Sequence, residues 1–339
     1  MVRSRVFILT VALMLFGAAC ASDDDDPAAP TTAAPDSTIP STTRTEPTVV
    51  TTTVATTTTA APTTTSAPTT TVLTIDDVLD RERREGIPIV PARYPVAIYG
   101  DSMAESAREH MVNFLTSGGR LRVSNYAFPG TSLCVALPTM ETDLRREQIW
   151  AALFIYTNNT FVSCMHDDAG VPLDDDAAIA KFAADLDEAL AITGEVGVRS
   201  YLVTIPLNRV EALDRSKQPM SARVNEVLTE AAERHDHAEV VEAARAVLGP
   251  DGEYVETLPC LPTEPCTGGV DDDGVPVNIV RDPFGGHFCT SGFGDRDETF
   301  AENIGLCPVW DSGGWRYAGA AVAPIVEAAL QDQMAQAGG

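Results

Sequence analysis

The stretch Pro95-Val96-Ala97-Ile98-Tyr99-Gly100-Asp101-Ser102-Met103-Ala104 changes character at its middle. The residues before Gly100 form a compact apolar run, as expected of a strand buried on both faces. From Met103 onward the apolar residues take helical spacing, with Met103, Ala107, Met111, Phe114 and Leu115 on one broad face. A strand therefore runs straight into a helix through Gly-Asp-Ser. That junction puts Ser102 near the positive end of a helix dipole, with its hydroxyl at the sheet's edge and its N–H pointing outward. Alone, the tripeptide is more often just an N-cap, so its meaning rests on what lies at the other strand ends.

The same alternation continues down the chain. Leu121 to Phe128 reads as a second strand, stopped by Pro129-Gly130, and a short helix is expected near Glu141 to Glu147. Trp150 to Tyr156 is a third strand, and Asp174 to Ile192 a helix with an acidic start that suits its dipole. Tyr201 to Ile205 is a fourth strand, Ser221 to His235 a helix, Glu239 to Ala243 a fifth strand. A helix from Tyr317 to Met334 closes the chain, with Pro324 as a kink or boundary. Strands alternating with helices predict an α/β fold: a three-layer α/β/α sandwich around a mostly parallel five-stranded sheet, occupying residues 75–339. The 44% hydrophobic content is enough for such a core. Sites in sheets of this kind lie at the carboxyl ends of the strands.

Residues 1–74 are organised differently. Arg3 and Arg5 precede an apolar run from Val6 to Phe16 that is too short to span a bilayer, which takes roughly 20 residues. Gly17-Ala18-Ala19 then leads to Cys20. Residues 1–20 read as an export signal of lipoprotein type, with Cys20 as the lipidated residue; the plainer alternative is an ordinary cleaved signal. Residues 21–74 are a Thr/Pro/Ala tract with few large apolar side chains, which cannot offset its chain entropy by burial and reads as a tethering stalk. No further segment reads as a membrane span. The expectation is an exported protein, held by lipid on the outer face of the cytoplasmic membrane or the cell surface.

With 23 basic and 49 acidic residues the net charge is −26. That excludes a nucleic-acid partner, which needs a basic face, and argues against docking on anionic lipid through a polybasic patch.

The strand ends carry the chemistry. The second ends in Gly130, whose N–H no side chain obstructs. The third ends in Asn158, whose amide can donate to an oxyanion. Late in the chain, Arg281-Asp282-Pro283-Phe284-Gly285-Gly286-His287-Phe288 places one histidine in a glycine-rich loop. Of the others, His110 falls within the first helix, His235 and His237 at a helix end suit a solvated role, and His166 is a minor site candidate. Each block alone fits a turn or a cap. Taken in order, Ser102, Gly130, Asn158 and His287 resemble the signature positions of the SGNH hydrolase family, also called GDSL-type esterases, over roughly residues 95 to 330.

The resemblance implies a mechanism. His287 removes the Ser102 proton, Ser102 attacks an ester carbonyl, and the N–H groups of Ser102 and Gly130 with the side chain of Asn158 hold the oxyanion. No metal or organic cofactor is implied, and a single copy of the chain would suffice. The expected substrate is an ester of an envelope glycan, a lipid or a small exported molecule. The alternatives are a weak or inactive carbohydrate-binding module and an acyltransferase using the same Ser–His pair. Two positions depart from the family pattern. Phe284 stands where an Asp usually orients the histidine, leaving Asp282 as the replacement orienter or a backbone carbonyl in its place. Tyr156 and Asn159 replace the usual Gly and Asp around Asn158, and Tyr156 is expected to narrow the pocket.

Setting Cys20 aside, an even number of cysteines is left: Cys134, Cys164, Cys260, Cys266, Cys289 and Cys307. Sequence does not choose among their pairings. The reading adopted is Cys134–Cys164, Cys260–Cys266 and Cys289–Cys307, in keeping with an exported chain. A zinc site is the weaker rival, because no two-residue Cys spacing is present.

Overall fold

The computed structural model describes residues 73–86, 93–282, 284–288 and 310–337. The expected signal, Cys20 and nearly all of the stalk lie outside the described residues, as do Cys289 and Cys307.

Five parallel strands form the sheet: β1 (Tyr94–Gly100), β2 (Leu121–Ala127), β3 (Ala151–Ile155), β4 (Arg199–Val203) and β5 (Ala238–Val241). Their order is β2-β1-β3-β4-β5, with every pairing parallel. β1 lies inside the sheet, between β2 and β3, as suits a strand apolar on both faces: Val96, Ala97, Ile98 and Tyr99 are all fully buried. The helices are α1 (Ile75–Glu85), α2 (Ser102–Ser117), α3 (Leu133–Glu147), α4 (Asp175–Val196), α5 (Arg209–Leu213), α6 (Met220–Arg234) and α7 (Ser312–Ala337). α1, α2 and α7 pack together on one face of the sheet, and α3, α4 and α6 on the other. This is the three-layer α/β/α sandwich. Among the described residues no helix is long and apolar enough to cross a membrane.

The sequence reading contains no α1, α5 or strands after β5, and it starts α3 and α7 too late. α1 was hidden against the Thr-rich tract, yet it has a complete capping box between Thr74 and Asp77 and a left-handed Gly86 at its end. α3 begins at Leu133, well before the expected 141, and contains Pro138. Its buried Leu133, Met140 and Leu144 anchor it across the proline. α7 runs through Pro324, as the helix expected over 317–334 does, but starts earlier, at Ser312; burial of Tyr317, Val322, Ile325 and Leu330 outweighs the one missing hydrogen bond.

Outside the sheet, β6 (Thr257–Pro259) and β7 (Val277–Ile279) pair antiparallel. A buried ion pair fixes this excursion to α7. Glu264 bonds Arg316, whose guanidinium also donates to the Pro259 carbonyl at 2.6 Å. Ser312 Oγ donates to Glu264 Oε2 at 2.7 Å and the Leu261 N–H to Oε1 at 3.0 Å. Burial pushes the Glu264 carboxyl up, but Arg316 and these donors outweigh it and hold the group below the ordinary glutamate range. A depressed carboxylate stabilises the fold above its unfolded pKa, about 4.3, and that contribution is lost as pH falls through the folded value. Glu264→Gln strands Arg316 without its charge partner, at a cost of about 3–5 kcal/mol. The expected drop in melting temperature at pH 7 is roughly 6–20 °C. A calorimetric series from pH 7 to pH 3 should show the gap between wild type and variant closing toward the acid end.

Candidate functional site

β1 and β3 leave the sheet toward opposite faces, so their carboxyl ends bound the crevice where this topology places its sites. Ser102 is the first residue of α2, and its N–H is among those a helix leaves without an intrahelical partner. The histidine loop reaches this point: His287 Nε2 lies 2.8 Å from Ser102 Oγ. The structure thus joins residues 185 positions apart into a hydroxyl–imidazole pair.

His287 is carried by a tight turn. The Gly285 N–H donates to the Asp282 carbonyl at 2.9 Å, and the Asp282 N–H to the His287 carbonyl at 2.9 Å. Asp282 Oδ1 accepts from the N–H groups of Gly286 at 2.9 Å and His287 at 3.2 Å. Its other oxygen stands 3.8 Å from His287 Nδ1, an ion-pair distance rather than a hydrogen bond. Burial raises the Asp282 carboxyl, yet its bonds to His287 and Gly286 prevail and hold it below the ordinary aspartate range. The turn depends on Gly285, which has φ +73°. A Cβ there would meet Arg209 Cβ at 2.4 Å and Tyr254 Oη at 2.5 Å. Phe284 is exposed and does not occupy the orienting position.

Gly130 also has a positive φ of 73°, with open space around it. Asn158 is buried and left-handed at φ 67°. Its Nδ2 donates to Met220 Sδ at 3.7 Å, a weak acceptor that a developing oxyanion would displace. The loops carrying these two groups are tied by a 2.7 Å bond from Ser132 Oγ to the Asn159 carbonyl. They are also joined by the Cys134–Cys164 disulfide, whose 30-residue span removes about 3–4 kcal/mol of unfolded-chain entropy. Cys260 and Cys266 form a second disulfide, in the β6–β7 excursion. No cluster able to hold a metal ion occurs among the described residues.

Sequence reasoning missed the role of Asp101. It was legible only as a cap, and it does cap α2, accepting the Met103 N–H at 3.0 Å. Its Oδ2 also accepts Thr157 N–H and Thr157 Oγ1, each at 2.6 Å, and Asn159 Nδ2 at 3.2 Å. The residues flanking Asn158 are therefore held by one carboxylate oxygen beside Ser102. Burial raises the Asp101 carboxyl, opposed by the Thr157 and Met103 donors and by His287. Tyr156 does not narrow a pocket as expected: it is packed in the core at 3% exposure. The remaining histidines lie elsewhere. His166 Nε2 contacts the Thr160 carbonyl, His110 pairs with Asp311, and His235 with Asp187. His237 is half-buried against the Leu190 carbonyl and Thr193, not solvated.

No family model and no curated protein matches the chain. Solved structures similar to it include a lipase/acylhydrolase from Enterococcus faecalis, with 15% identity, 48% of this chain and 86% of that one covered, and a TM-score of 0.34. Another is described as a platelet activating factor from Streptococcus pneumonia, with 13% identity, coverages of 74% and 92%, and a TM-score of 0.42. A third is described as an acylhydrolase from Bacteroides fragilis, with 13% identity, coverages of 74% and 97%, and a TM-score of 0.41. At such distances no residue role or substrate carries over from them.

Asn159→Asp tests the Asp101 arrangement. It would set a second carboxylate where Asn159 Nδ2 now lies, 3.2 Å from Asp101 Oδ2, and two such groups cannot both ionise. The shared proton is held more tightly folded than unfolded, so the destabilisation grows as pH rises. Thermal unfolding at pH 8 should show a much larger loss than at pH 5; equal losses would contradict the contact.

Proposed function

We propose that this chain is an SGNH-type serine ester hydrolase acting through a Ser102 acyl-enzyme. The observation carrying this reading is the 2.8 Å approach of His287 Nε2 to Ser102 Oγ at the carboxyl edge of the parallel sheet. The Ser102 proton passes to His287 Nε2 as Oγ bonds the ester carbon. The carbonyl oxygen takes the negative charge, facing the N–H groups of Ser102 and Gly130 and the Asn158 amide. Collapse expels the alkoxide, which takes the proton from His287. Water then repeats the sequence on the acyl-enzyme, releasing the acid and restoring the Ser102 hydroxyl. Asp282 supports the imidazolium formed in each half-reaction. Its 3.8 Å separation from Nδ1 fits a contact that tightens when His287 is charged.

The sequence supports an address for this activity: export by residues 1–20, lipidation at Cys20, and a stalk over 21–74 that holds an acidic domain off the membrane. The substrate is then an ester met at the cell envelope.

Hydrolysis of p-nitrophenyl acetate by the full chain is the test, beside Ser102→Ala, His287→Ala, Asp282→Asn and Asn158→Ala. Ser102→Ala and His287→Ala should abolish turnover. Asn158→Ala should lower kcat about 10²–10³-fold, as loss of one oxyanion donor does elsewhere. Equal rates for wild type and Ser102→Ala would end the proposal. An unchanged rate in Asp282→Asn would remove Asp282 from the site. Gly285→Ala should lower kcat by displacing His287, while leaving the Asp101-held loop intact.

A further inference from the structure

Asp101 holds the residues on either side of Asn158, but not the Asn158 side chain. That side chain is buried, and its Nδ2 donates to Met220 Sδ at 3.7 Å. Its Oδ1 is buried with no hydrogen bond among the described residues. The amide read above as an oxyanion donor therefore rests on one thioether, which is a weak acceptor. That weakness suits the role. A strong acceptor in the same place would hold the amide on α6 and away from a developing charge.

The sulfur also stands where water reaches. Of the described methionines, Met103, Met111, Met140 and Met165 are buried. Two are open to solvent: Met220, half-buried as the first residue of α6, and Met334, 45% exposed near the end of α7. A cleft of about 780 Å³ is lined by both chain neighbours of Met220, Pro219 and Ser221, with Ile205 and Leu207 from the loop after β4. Small solutes therefore stand against the start of this helix. Its backbone is pinned there, because the Ser221 N–H and hydroxyl donate to Glu211 at 2.9 and 2.7 Å.

Resting on the ester-hydrolase reading above, we propose that Met220 is an oxidation site that governs the Asn158 donor. Its thioether yields the amide to the oxyanion, and its sulfoxide withholds it. The oxidant is a peroxide. A sulfur lone pair attacks one peroxide oxygen; the S–O bond forms as the O–O bond breaks. With hydrogen peroxide the departing hydroxide takes a proton and leaves as water. Sulfur is oxidised, the peroxide is reduced, and no further reactant is needed. The product carries a polar S–O group where a thioether stood. The unbranched side chain has three rotatable bonds, so the new oxygen can turn to Asn158 whichever lone pair reacted. Methionine sulfoxide reductases, one for each epimer, return the thioether.

The experiment treats the full chain with hydrogen peroxide and follows hydrolysis of p-nitrophenyl acetate, with peptide mass spectrometry to place each added oxygen. Oxygen should appear on Met220 and Met334 before the buried methionines. As Met220 is converted, kcat should fall at least tenfold, toward the roughly 10²–10³-fold that losing one oxyanion donor costs, with KM changed less than twofold. The melting temperature should stay within a few degrees, and the two reductases together should restore kcat. Met220→Leu keeps the volume and removes the sulfur, so its activity should be the same before and after peroxide. Met220→Gln puts an amide oxygen at similar reach and should show the lowered kcat without peroxide. Met334→Leu should lose activity on treatment as wild type does. In Asn158→Ala the donor is already gone, so peroxide should change little. Oxidised Met220 with unchanged kcat would overturn the proposal, as would Met220 left unmodified while Met334 is converted. Equal losses in wild type and Met220→Leu, or a loss that follows unfolding, would overturn it too. Each of these outcomes leaves the hydrolase standing. Absence of Ser102-dependent hydrolysis before any treatment would instead end the hydrolase reading, and this proposal with it.

Discussion

One buried carboxylate holds the site's architecture together. Asp101 is fully buried, and an ionised group so placed must be met by donors on every side. β1 can supply none, because its own amides are committed to the sheet. The donors come from the start of α2 and from the loop after β3. Thr157 and Asn159 both reach the same oxygen, and Asn158 between them has nowhere to go but the left-handed conformation it adopts. The cost of burying Asp101 thus helps to set the position of the Asn158 amide, together with the Ser132 bond to Asn159 and the Cys134–Cys164 disulfide. This also gives a physical reason for Asn159: it donates where an aspartate would add a second negative charge.

The histidine arm follows the same logic from the other end of the chain. Asp282 spends one oxygen on the N–H groups of the turn it opens and keeps the other toward His287 Nδ1. An acid five residues before a histidine can serve in this way only if the chain folds back between them. The left-handed Gly285, packed without room for a Cβ against Arg209 and Tyr254, makes that reversal. Phe284 is thereby released from the orienting position and turned outward.

The legibility of these features in sequence followed the range of the interactions behind them. β1, β3 and β4 were readable as short buried apolar runs, and the longer helices because their apolar periodicity is local. Boundaries moved where tertiary burial extended a helix beyond its local pattern, at the starts of α3 and α7. The sequence order of Ser102, Gly130, Asn158 and His287 was visible, since each sits where an apolar run stops or in a glycine-rich loop. The reach of Asp282 was undecidable in sequence because it turns on one backbone angle at Gly285. Asp101 could only be read as a cap, since its other partners are 56 and 58 residues away. Tyr156 misled for a related reason: a strand-end residue faces cleft or core according to register, and here it faces the core.

The carboxylates around Ser102 are held by several partners each, so a change to Asp101 or Gly285 is felt in the fold as well as at Ser102. Asp101 loses its donors from the loop after β3 only if that loop moves, and Gly285 gains a Cβ only if Arg209 and Tyr254 give way. Each arm of the site is thus fixed by a constraint that the rest of the fold already imposes.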